Sequence, residues 1–159
     1  MIEQISLNRI NLLHPKIREE VKKIIEECNS KLTQHSQVRI VQGYRTFPEQ
    51  HALFLKRPKV TNADAGQSYH NYGLAIDFCL LIDNKEISWD LNKDFDKDNV
   101  PDWSEVRDIF KKYGYEWGGN WKSIKDYPHF QKTFGYSEKQ LLNKYNKKDF
   151  IAGTTYVNL

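Results

Sequence analysis

The string Ser68-Tyr69-His70-Asn71-Tyr72-Gly73-Leu74-Ala75-Ile76-Asp77, taken with Asp126-Tyr127-Pro128-His129, contains the residue types of a metal-assisted reaction centre. Two histidines and a carboxylate suffice to hold a zinc ion while one coordination position stays open to water. Zinc so held lowers the pKa of its bound water towards ~7 and polarises a carbonyl. Asp126, three residues before His129, is near enough in sequence to take the proton of that water.

Each residue also has a plainer reading. Asp77 lies inside the apolar run Leu74–Ile82, where a lone carboxylate is costly unless it is paired or bound to a metal. It could instead accept hydrogen bonds from backbone amides, with His70 at the surface, and two candidate ligands seven residues apart carry little weight without a third. His129 is that third, set after a proline that stiffens its loop. An isolated Asp-x-x-His is more often an ordinary loop, so the argument rests on the three residues together. Arg45 follows Gly43 and Tyr44 at a strand end, where a guanidinium can meet a carbonyl oxygen as charge develops on it. By itself it reads equally as a surface arginine.

The elements that must position these residues follow from periodicity. Ile17, Val21, Ile24, Ile25, Cys28 and Leu32 recur at helical spacing, with Pro15 suited to the first turn. Val38–Val41 predicts a short strand, and Thr46-Phe47-Pro48-Glu49 a capping box that opens a helix over 48–56. Residues 57–67 read as a loop. The run 74–82 has strand length and places Ala75, Asp77 and Cys79 on one face, with Gly73 allowing close backbone approach just before it. A turn at 83–85, a return strand over 86–89 and an acidic loop over 90–102 come next. Residues 104–113 predict a helix closed by Gly114. His129–Gln131 reads as a short strand and Ser137 as the cap of a last helix, while the final ten residues give no clear signal. Helices and short strands without regular alternation predict an α+β fold, a small antiparallel sheet flanked by helices.

Composition bounds the remainder. A length of 159 residues predicts one domain, with its core over about 10–135 and a helix and tail over 136–159. Apolar content of 39% excludes a disordered chain. The net charge of +3 is spread along the sequence, which favours anionic surfaces such as wall polymers but gives no basic block for nucleic acid. Two cysteines, Cys28 and Cys79, make no disulfide framework. The first residues hold no signal-peptide run and no stretch reaches the ~20 apolar residues of a membrane span. The expectation is a monomeric protein made in the cytoplasm that acts on the cell wall only after release by another agent.

The combined motifs resemble the zinc D-alanyl-D-alanine carboxypeptidases and L-alanyl-D-glutamate endopeptidases of peptidoglycan. The similarity is greatest to the small lysins of bacteriophages and related bacterial wall peptidases. Its carriers are Ser-x-His-x-x-Gly-x-Ala-x-Asp from Ser68, Gly43-Tyr44-Arg45-Thr46, Trp117-Gly118-Gly119-Asn120-Trp121 and Asp126-Tyr127-Pro128-His129-Phe130-Gln131, within roughly residues 30–135. The resemblance implies the single-domain fold shared by Hedgehog proteins and D,D-peptidases. It implies zinc on His70, Asp77 and His129, Asp126 as general base, Arg45 as the carbonyl-stabilising residue and stem peptides as substrate. Ser68, Trp117 and Trp121 are implied near the substrate, Ser68 as a supporting residue because no histidine is placed to activate it. Many D,D-dipeptidase relatives carry glutamate where Asp126 stands, so the shorter side chain favours the L-alanyl-D-glutamate subgroup and a phage or prophage endolysin. A D,D-carboxypeptidase and an inactive zinc-containing wall-binding module are the alternatives. No wall-binding repeat or separate wall-binding domain is recognisable.

A second metal motif lies in the acidic loop. Asp94, Asp96, Asp98, Asp102 and Glu105 fall at positions 1, 3, 5, 9 and 12 of a calcium-loop template. Asn99 takes the glycine position, which asparagine tolerates, and Pro101 is unusual at position 8. The plainer reading is a solvated loop that caps the next helix. His14, His35 and His51 read as surface or satisfied histidines, Trp89 and Trp103 as core or wall, and Cys79 as a small buried hydrophobe.

Overall fold

A computed structural model describes residues 1–33 and 35–159. A short helix α1 (Gln4–Ile10) precedes α2 (Pro15–Leu32) and strand β1 (Ser36–Gln42). Helix α3 (Phe47–Leu55), a 3-10 turn (Tyr69–Tyr72), β2 (Ala75–Ile82) and β3 (Glu86–Ser88) follow. The chain then forms α4 (Asp102–Lys112), β4 (Glu116–Trp117), β5 (His129–Gln131) and α5 (Glu138–Asn146). The sheet order is β1-β2-β5-β4, with β3 also paired to β2, and every pairing is antiparallel.

Most predicted elements form within two residues of their expected ends, because the same caps decide both. Thr46 and Glu49 make the reciprocal capping box of α3, and Ser137 with Gln140 makes that of α5. Gly114, at φ 87°, ends α4 in the left-handed conformation. Helix α4 begins two residues before the predicted start, its first turn carrying Asp102 and Glu105. Helix α1 has no counterpart among the predicted elements: seven residues show too little periodicity, and Glu3 caps it by accepting from the amides of Ile5 and Ser6.

The core lies between one face of the sheet and helices α2 and α4. Ile76, Phe78 and Leu80 of β2, Val38 and Ile40 of β1, and Phe130 of β5 pack against Ile17, Val21, Ile24, Val106 and Phe110. Phe110 stacks on Phe130 at 4.4 Å between ring centroids, and Phe78 on Phe130 at 5.7 Å. Burying each ring contributes roughly 1.5–3 kcal/mol. Alternation along β2 sends Ala75, Asp77, Cys79 and Leu81 to the other face. Cys79 and Cys28 are both buried free thiols. Among the described residues no helix is long and apolar enough to cross a membrane.

Candidate active site

Strand pairing assembles the site. In the β2–β5 register Asp77 lies opposite His129, so residues 52 positions apart become neighbours. His70 comes from the 3-10 turn just before β2. That turn is capped by Ser68, whose Oγ accepts from the His70 amide at 3.3 Å, and closed by Gly73 at φ 69°. A Cβ on Gly73 would overlap the backbone nitrogen of His14, so the close approach expected of this glycine is present.

His70 Nε2 lies 3.3 Å from one Asp77 oxygen and His129 Nδ1 3.0 Å from the other. The two imidazoles meet edge to face with centroids 5.1 Å apart. Ligand atoms of the three residues all fall within 4.8 Å of one another. Each histidine turns its outer nitrogen to a protein acceptor: His70 Nδ1 to the Gly43 carbonyl at 2.8 Å, and His129 Nε2 to Gln131 Oε1 at 2.8 Å. Gln131 in turn donates from Nε2 to Glu116 at 3.1 Å. The outer bonds fix ring orientation and tautomer and leave the inner nitrogens directed at Asp77, which is how a protein prepares histidines as metal ligands.

Electrostatics follow from this geometry. Burial acts to raise the Asp77 carboxyl, but hydrogen bonds and charge from His129 and His70 outweigh it and hold it far below the ordinary carboxylate range. His129 shifts upward, because the Asp77 hydrogen bond and charge overcome the burial that acts to lower it. Asp126 is half-exposed, with an oxygen 3.9 Å from His129 Nδ1. Burial, then repulsion from Asp77, raises its carboxyl, and His129, His70 and Arg45 oppose the rise. The Asp126 backbone packs on Gly118, where any Cβ would overlap the Asp126 carbonyl oxygen.

These groups line a cavity of about 410 Å³ whose wall includes Arg45, Ser68, His70, Asp77, Trp121, Asp126 and His129. Arg45 donates from one terminal nitrogen to Gln50 Oε1 at 2.8 Å, and buried Gln50 is itself held by the Ala63 carbonyl at 2.7 Å. The Arg45 Nε is buried and has no partner. Trp121 lies beside His129, with centroids 5.0 Å apart. Trp117, expected near the substrate, is not part of the wall: its Nε1 donates to the Tyr127 carbonyl at 2.8 Å and its ring packs against Gly119. It supports the loop that carries Asp126 from behind. The acidic residues Asp94, Asp96, Asp98, Asp102 and Glu105 form a separate group outside this cavity.

Sequence reasoning missed Gln131, Gln50 and the Gly43 carbonyl. Gln131 was within reach, since it stands two residues beyond His129 on a strand and so shares its face. Gln50 gives no such signal. The Gly43 carbonyl depends on an irregularity of β1 between Ile40 and Gln42, which only the pairing with β2 reveals.

Comparisons with known proteins find similarity over the part of the chain that carries the histidine–aspartate cluster. Residues 61–132, from the cavity wall through β5, match the D-alanyl-D-alanine carboxypeptidase family model. Over 97 residues the chain is 48% identical to the peptidoglycan L-alanyl-D-glutamate endopeptidase CwlK of Bacillus subtilis (strain 168), covering 58% of each protein. The chain thus spans somewhat over half the length of this relative. The fold is also that of the L-Ala D-Glu endopeptidase ChiX of Serratia marcescens, at a TM-score of 0.59 and 23% identity over 84% of this chain and 90% of that one.

Proposed function

We propose that the chain is a zinc-dependent peptidoglycan peptidase that cleaves the L-alanyl-D-glutamate bond of stem peptides. The observation that carries this reading is the convergence of His70 Nε2, His129 Nδ1 and Asp77 on the cavity wall, with both outer histidine nitrogens already committed to protein acceptors. Two imidazole nitrogens and one carboxylate fit zinc with a coordination position to spare. The similarity to the Bacillus relative supports the choice of bond.

Bound zinc would supply a Lewis acid and an acidified water. Asp126 takes the proton of the attacking water and returns it to the leaving amine. Arg45, on the cavity wall, offers its guanidinium to the carbonyl oxygen as negative charge develops there. Gln50 and the Ala63 carbonyl keep the guanidinium in place. Trp121 forms an apolar wall beside His129, and Ser68 acts by capping the turn that presents His70. The origin as a phage or prophage endolysin belongs to the same proposal and rests on the motif resemblance alone.

Mass spectrometry of purified peptidoglycan, digested by zinc-loaded protein with a metal-stripped control, tests the reading. Metal-dependent release of peptides beginning with D-glutamate is the expected result. Release of single D-alanine would reassign the chain to carboxypeptidase activity. Absence of products with zinc bound would leave a wall-binding module.

A further inference from the structure

The acidic loop before α4 holds a second convergence of carboxylates. Oxygens of Asp94, Asp96 and Asp102 lie within 4.8 Å of one another, as do those of Asp96, Asp98 and Glu105, so Asp96 joins the two groups. The protein itself satisfies most of them. Asp102 accepts from Ser36 Oγ at 2.5 Å and from the Phe95 amide at 3.2 Å, and Asp94 from the amides of Asp98 and Asn99 at 3.2 and 2.9 Å. Asp98 accepts from the Val100 amide at 2.8 Å.

Glu105 is different. It is 5% exposed, both its carboxylate oxygens are buried, and neither has a hydrogen-bond partner. Among the described residues none of the five acids makes an ion pair with a lysine, arginine or histidine. A fold does not retain an unpaired buried carboxylate facing further acids without a compensating cation or a proton. Burial, then repulsion from Asp98, Asp96 and Asp102, pushes the Glu105 carboxyl up to about 7, so near neutral pH a proton only partly compensates.

We propose that this loop is a calcium site, with Glu105 presented from α4 as the ligand that closes it over Asp96 and Asp98, and with Asp94 and Asp102 completing the acidic shell. All the side-chain donors are carboxylate oxygens, which select hard cations over zinc. Glu105 stands at the position where calcium loops place a two-oxygen glutamate, and both of its oxygens are free. Asn99, at the position of the loop glycine, has φ 75°. Magnesium suits the arrangement less, because it prefers to keep its waters rather than enter a cage of protein oxygens. The site is independent of the zinc reading. Its structural consequence runs through Trp103, which follows Asp102 and packs on Phe78 at 4.4 Å between centroids, next to Asp77 in β2. Calcium would pin the start of α4 to the sheet that carries the zinc cluster.

The test uses the full chain, zinc-loaded and in calcium-free buffer, titrated with calcium or magnesium while thermal melting is followed. Terbium emission sensitised by Trp103 reports occupancy directly. Calcium at about 1 mM should raise the melting temperature by about 4 °C or more and displace terbium, with a clearly smaller effect of magnesium. Glu105→Gln should abolish the calcium response, and so should Asp98→Asn, at an exposed position where folding is not at stake. No calcium-dependent shift with no saturable terbium signal, an equal response to magnesium, or a wild-type response in both variants would overturn the proposal.

Discussion

Asp77 carries the electrostatics of the candidate site, since it faces two imidazoles from a position where burial alone would favour its neutral form. Its neighbours divide into residues that would touch the reacting atoms and residues that hold those in place. Asp126 belongs to the first kind, and Asp126→Ala should leave zinc bound while lowering kcat by about 10²–10⁴-fold. Metal analysis beside a hydrolysis assay checks this, and near-normal turnover would remove Asp126 as the base. Gln131 belongs to the second kind. Its contact with His129 Nε2 and its link to Glu116 fix the ring, so Gln131→Ala should weaken zinc affinity by roughly 10–100-fold. Competition with a chromophoric chelator would show it, and unchanged affinity would mean that the ring is oriented by β5 alone.

Among the elements, β2 matters most. Its even positions close the core against α2 and α4, and its odd positions present Asp77 to β5, so one strand ties stability to the site. Helix α4 adds a pH dependence. In calcium-free solution the Glu105 carboxyl, raised to about 7 by burial and by Asp98, Asp96 and Asp102, sits above its unfolded value of ~4.3. Its contribution to stability is therefore complete below about pH 4.3 and lost as the pH rises through about 7. Melting temperature across that window should fall in the wild type and fall less in Glu105→Gln, and parallel curves would show that Glu105 ionises freely in the fold.

At the scale of the whole molecule the chain's end is tied back to its beginning. His14 Nε2 contacts the Val157 carbonyl at 2.7 Å, the Tyr156 hydroxyl donates to the Leu12 carbonyl at 2.7 Å, and Val157 is buried. The His14 amide donates to the Gly73 carbonyl at 3.0 Å, one step from the turn that carries His70. Removing residues 150–159 should lower the melting temperature by several degrees and weaken zinc binding as well, because the support of Gly73 loosens. A loss of stability with full zinc affinity would show that the tail only covers the core. The sequence determined the local pieces: the helix caps, the apolar run with one acid inside it, and the motifs whose resemblance to a peptidase family implies His70, Asp77 and His129 as ligands. Those signals are short-range, written in neighbouring side chains that choose a backbone conformation. The sequence left open whether Asp77 meets histidines or backbone amides. That is an outcome of strand register across 52 residues, and only the tertiary structure decided it, because a side chain's partners there depend on which strands pair and which face each one turns inward.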